Sequence, residues 1–96
     1  MRIEPPLYWD DENVEHLWQS HQVTPDEVEE ILFGVDHEEP VYPVKRDGDY
    51  YRIYGETGGG RLLKMVAEHM ENGQWRVFGA MDMSDKERRS FREGRF

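Results

Sequence analysis

The chain has no cysteine, which rules out a disulfide scaffold and any thiolate nucleophile or thiolate metal ligand. It also lacks an apolar run near the ~20 residues a membrane helix needs, and a basic segment followed by an apolar one that would read as a leader. These absences point to a soluble cytoplasmic protein with no membrane partner. Ser20, Ser84 and Ser90 have no nucleophile-elbow context, and no Ser-His-Asp set is visible, so acyl-transfer chemistry is not expected. His37 beside Asp36, Glu38 and Glu39 is too sparse for a metal site, so neither metal nor other cofactor is expected. Cations are scarce in one half only. Positions 1–40 hold twelve Asp and Glu against one base, Arg2, whereas positions 41–96 hold nine acids against eleven Lys and Arg. A formal net charge of −9 opposes phosphate binding; the split reads either as one face that repels RNA and one that accepts it, or as ordinary solvated helix faces, the reading that composition alone favours.

What is present fits one domain, 1–96, with a modest core. Ile3 to Trp9 reads as a short edge strand interrupted by Pro5 and Pro6. Asp10 or Asp11 caps a helix whose Val14, Leu17, Trp18 and His21 recur at helical spacing and form the expected buried stripe, with His16 off it. Thr24, Pro25 and Glu27 combine an N-cap, proline at the first helical position and a capping-box acid. That second helix buries Val28, Ile31 and Leu32 and stops at Gly34. Asp36 to Pro40 reads as a loop.

From Val41 the period switches to two. Val41–Lys45, Tyr50–Glu56, Arg61–Glu68 and Gln74–Met81 are predicted strands, joined through Asp47-Gly48, Gly58-Gly59-Gly60 and Asn72-Gly73. The triple glycine lacks a following helix and a P-loop lysine, so it is a hairpin turn. A two-residue turn at Asn72-Gly73 pairs His69 with Arg76, Ala67 with Phe78, Met65 with Ala80 and Lys64 with Met81. Leu63, Met65, Ala67, Phe78 and Ala80 then face the helices, and Lys64, Val66, Glu68, Trp75, Val77 and Met81 face away. Ser84 and Glu87 form a capping box that opens a short last helix bearing Arg88, Arg89 and Arg92. The expected class is α+β: an antiparallel meander of about four strands packed against two N-terminal helices, with a short C-terminal helix.

Two surfaces stand out. Tyr50, Arg52 and Tyr54 alternate onto one side of their strand, where aromatic rings flanking a guanidinium form a stacking platform for unpaired bases. Tyrosines also simply suit half-buried strands. Met70, Trp75, Met81 and Met83 are candidates for docking a partner helix or a second copy of the chain, and equally for completing the core.

Taken together, several segments resemble the BrnT family of type II toxins, in order and over nearly the whole chain. They are Trp9-Asp10, Asn13 and His16, then His21 through Glu30, Tyr54-Gly55-Glu56-Thr57, Gly60-Arg61-Leu62-Leu63, Arg76-Val77 through Ala80 to Met83, and Glu87-Arg88-Arg89. The resemblance implies a RelE-like fold and a metal-independent endoribonuclease that inhibits translation. It also implies a cytoplasmic toxin neutralised by a BrnA-like ribbon-helix-helix antitoxin, through which alone it meets DNA. Arg61, Arg76 and Arg88 match family arginines and are expected in charge and positioning roles around a scissile phosphate, because arginine does not readily release its proton. The strand register adds Lys64 as a cation and His69 as a proton carrier, and Arg52, Arg89, Tyr50 and Tyr54 are expected on RNA. The chain departs from the family at Met81, where an arginine is usual, at Phe91, where tyrosine is common, and at Gln22, where glycine is usual. The alternative is therefore an attenuated relative that keeps antitoxin binding and autoregulation with lost or weakened catalysis. The nuclease expectation requires Arg61, Arg76 and Arg88 to meet in one pocket.

Overall fold

The structure is a computed structural model that describes residues 3–34 and 42–96. The expected loop at Asp36–Pro40, His37 within it, and the expected strand start at Val41 lie outside the described residues. Among the described residues the order is α1 (Asp11–His21), α2 (Pro25–Phe33), β1 (Val44–Asp47), β2 (Tyr50–Glu56), β3 (Leu62–His69), β4 (Trp75–Asp82) and α3 (Asp85–Glu93). The four strands form one antiparallel sheet in the order β1-β2-β3-β4.

Each helix begins where its capping chemistry dictates. The Asp10 side chain accepts from the Asn13 N–H, Thr24 from Glu27 and Ser84 from Glu87, and in each case the third residue's side chain accepts from the cap's own N–H. Pro25 sits in the first turn of α2, and Val28, Ile31 and Leu32 are buried as expected. α2 comes so close to β2 that a Cβ at Gly55 would collide with Ile31 Cγ2. A strand glycine there is a matter of approach rather than of turn geometry.

Residues 3–9 are not a strand. Pro5 and Pro6 have no N–H to give a ladder, and the segment makes one backbone bond to the sheet, from Tyr8 N–H to the Trp75 carbonyl at 2.9 Å. Ile3 and Leu7 nevertheless sit in the core. The buried line of α1 also differs. Asn13 and Leu17 face inward, while Trp18 is 55 % exposed and His21 lies in solvent. The face is turned by about one residue, near 100°. The cause is Asn13, whose Nδ2 donates to the Val77 carbonyl at 3.0 Å and fixes α1 along the free edge of β4.

The β3–β4 register holds only at its far end. Met65 pairs with Ala80 and Lys64 with Met81 as expected, but a β-bulge at Val66/Ala67 shifts the rest, so that Ala67 pairs with Val77, Glu68 with Arg76 and His69 with Trp75. The connection explains it. Met70 N–H donates to Gln74 O (2.8 Å) and Gly73 N–H to Met70 O (3.0 Å), with Gly73 at φ +89, which makes a three-residue loop in place of a two-residue one. One residue slipped reverses the faces. Trp75 and Val77 thus enter the core, and Phe78 leaves it for the outer face, where it meets Tyr50 edge-on at 5.0 Å.

The main core lies between the helices and the inner face of the sheet, with Leu17, Val28, Leu32, Ile53, Leu63, Met65 and Val77 fully buried. A second, smaller cluster lies elsewhere. It comprises Tyr54, Leu62 and Met83, with Phe91 and Phe96 packed against it.

Candidate functional site

The side chains with chemistry fall into separate places. The first is the clamp around Arg61, which precedes β3 at the end of the Thr57–Gly60 turn. Its Nε donates to Asp82 Oδ1 at 2.9 Å, Nη2 to the His21 carbonyl at 2.8 Å, and Nη1 to the Gln22 carbonyl at 2.9 Å, with Glu27 Oε2 at 3.3 Å. A guanidinium has five N–H donors, and these contacts commit most of them. The hydrogen bond to Asp82 holds Arg61 above its ordinary range, and Arg61 in turn holds the Asp82 carboxyl below its own. Arg61 therefore ties the α1–α2 turn to the end of β4. That turn includes Gln22 in the left-handed region at φ +55, a conformation that glycine adopts without cost.

The second place is the outer face beside α3. Lys64 Nζ is 3.4 Å from Glu87 Oε2, while Glu87 Oε1 accepts from Ser84 N–H at 3.0 Å. Burial pushes the Glu87 carboxyl up, but the Ser84 hydrogen bonds and the Lys64 ammonium outweigh it and hold the group below the usual range. Burial raises the Tyr54 phenol, opposed by the charge of Arg52 and reinforced by that of Glu87. An ionised carboxylate, an ammonium and a phenol thus share one neighbourhood, with the carboxyl and the phenol both held away from neutral pH rather than poised for proton transfer.

α3 itself presents Arg88, Arg89 and Arg92 around a shallow pocket of about 410 Å³ that Asp85 and Glu93 also line. Arg88 lies 4.0 Å from Asp85, and its charge also reaches Asp82. The third place is the opposite end of β4. Arg76 lies 3.6 Å from Glu68 and 3.9 Å from Asp10, in a pocket of about 250 Å³ with Glu12, Asn13, His16 and Phe78. His69 stacks flat on Trp75 at 4.5 Å, and its Nε2 is 3.1 Å from the Gly73 carbonyl.

The three arginines are therefore not gathered. Arg61 and Arg88 both approach Asp82, but Arg76 lies six residues back along β4, about 20 Å at strand rise. His69 belongs with the Arg76 end rather than with Lys64, because it pairs with Trp75 at the start of β4. Of the expected platform, Tyr50 is exposed, Arg52 is half-buried beside Asp47, and Tyr54 is covered. Of the expected docking residues, Trp75 and Met83 are 7 % and 2 % exposed and serve the two cores, while Met70 and Met81 are half-buried.

Sequence reasoning missed the roles of Asn13, Glu87 and Phe96. Glu87 carried a signal, the capping-box spacing from Ser84, but that spacing accounts for one carboxylate oxygen and hides the one that meets Lys64. Comparison with protein-family models, with curated proteins and with solved structures finds no match. What the geometry defines is the class: an α+β protein with a four-stranded antiparallel meander and three helices among its described residues. None of those helices is long and apolar enough to cross a membrane.

Proposed function

We propose that this chain is a BrnT-like, RelE-class member of a cytoplasmic type II toxin–antitoxin pair that binds a BrnA-like ribbon-helix-helix antitoxin and has attenuated ribonuclease activity. The observation that carries the attenuated reading is the dispersal of the family-matched arginines. Arg61 serves the fold, Arg76 is paired with Glu68 and Asp10 at the other end of β4, and Arg88 sits on α3 with Arg89 and Arg92, paired with Asp85. Phosphate chemistry without a metal needs preorganised cations converging on one anion, and losing one such donor costs about 3 kcal/mol of transition-state stabilisation. Met81, on the outer face opposite Lys64, stands where the family supplies a further guanidinium. Gln22 adds support for the family, since the resemblance expects glycine at a residue whose φ is +55.

One observation favours the fully active toxin instead: Lys64, Glu87 and Tyr54 gather an ammonium, a carboxylate and a phenol on the outer face beside α3, groups that the arginines do not supply. The partner claim is tested by co-expressing the chain with a ribbon-helix-helix protein encoded beside it and measuring mass by light scattering. A stable complex is expected; two species that elute and scatter independently overturn the pairing.

A further inference from the structure

The second cluster contains an unusual stack. Phe96 lies on Tyr54 with ring centroids 4.1 Å apart and planes 20° from parallel, and Lys45 Nζ is 5.4 Å from the Phe96 centroid. The strand register sets Lys45 beside Arg52 and Tyr54 beside Lys64, so three cations surround one ring position on a chain of net charge −9. Two acids oppose them there, Asp47 near Arg52 and Glu87 near Lys64. Arg52 Nε is buried 3.5 Å from its ion-pair oxygen on Asp47, and the guanidinium also reaches the Tyr54 phenol.

Phe96 is held by a short tether. Gly94, at φ +68, ends α3, and Arg95 N–H donates to the Ser90 carbonyl at 2.8 Å. Phe96 lies two residues past that cap and belongs to no strand of the sheet.

We propose that Phe96 is an intramolecular plug in a nucleotide seat, which takes a nucleobase ring on Tyr54 with its phosphate against Lys45, Arg52 and Lys64. A core position asks only for apolar volume, whereas near-parallel ring stacking among cations is the arrangement that binds an unpaired base and its phosphate. The seat needs neither an antitoxin nor a cleaved bond, so it goes beyond the function proposed above. Its occupant is a free nucleotide or an unpaired RNA residue, which share this chemistry.

The test uses the full chain with AMP, inorganic phosphate and a five-residue oligoadenylate as probes, titrated by calorimetry into the parent, Phe96→Ala and Phe96→Leu. Displacing a stacked ring weakens a ligand's apparent affinity by the population of the open form, so Phe96→Ala is expected to bind AMP about threefold to tenfold tighter than the parent. Phe96→Leu, which keeps the apolar cover without the ring, falls between them. Oligoadenylate binding tighter than AMP identifies RNA as the source, and equal binding identifies the free nucleotide. Equal or weaker AMP binding by Phe96→Ala overturns the plug, and phosphate binding as well as AMP overturns the ring seat. Should Phe96→Ala lose its fold by circular dichroism, parent-like AMP affinity in Phe96→Leu overturns the proposal instead.

Discussion

At the scale of single residues, two positions hold conformations or contacts that their neighbours force. Gln22 caps α1 in the left-handed region, its N–H donating to the Trp18 carbonyl, while its own carbonyl is held by Arg61. A side chain there carries a steric cost that glycine escapes, partly offset by glycine's greater freedom when unfolded. Gln22→Gly is accordingly expected to raise stability by about 0.5–1 kcal/mol, read from the urea midpoint. A lowered midpoint contradicts the assignment. Gly55 works in the opposite sense. Gly55→Ala pushes a methyl into Ile31 of α2 and is expected to cost about 1–3 kcal/mol, the usual cost of overpacking, in the same measurement. An unchanged midpoint means that α2 does not press on β2.

At the scale of elements, joints between helix and sheet carry the specificity. Asn13 answers two needs at once, accepting from the Asp10 N–H at 2.8 Å and donating to the buried edge of β4 at Val77. Asn13→Ala removes a capping contact and leaves a buried carbonyl unpaired, for an expected loss of about 2–3 kcal/mol. The other joint, from β4 into α3, is electrostatic. Asp82 and Glu87 both titrate below their ordinary range, so the folded chain binds fewer protons than the unfolded one. Their contribution is complete above the ordinary carboxylate range and is lost as pH falls below about 4. Urea midpoints measured from neutral to acid pH are expected to stay level and then drop, and Arg61→Ala is expected to shrink the drop because Asp82 then titrates normally.

How much of this was legible varies with the range of the signal. The capping boxes at Thr24 and Ser84, the bounds of β2 and the order of the meander were plain, because local chemistry decides them. The stripe of α1 was misplaced by one residue because the residue that orients it, Asn13, is polar and its partner lies 64 positions away. The β3–β4 register failed for a related reason. Asn72-Gly73 is a strong two-residue turn signal, yet Glu71 joins the loop, and the bulge that absorbs the slip brings Trp75 and Val77 into the core. The candidate site suffered most. Arg61 and Arg76 could be singled out from the sequence, but their partners Asp82, Glu68 and Asp10 are set by long-range packing.

At the scale of the whole molecule, the charge division becomes a division of labour. α1 and α2 carry acids and no lysine or arginine, whereas the described cations lie in the sheet, in α3 and at Arg61 and Arg95 beside them, with much of their charge spent on internal carboxylates. The proposed attenuation rests on this use of the arginines. The most direct test is cleavage of single-stranded RNA by the purified chain without added metal, with Met81→Arg and Arg61→Ala beside it. The proposed attenuation predicts no cutting above background by the parent and measurable cutting once arginine stands at position 81. Cutting by the parent that Arg61→Ala abolishes contradicts it, for the clamp would then be part of an active site.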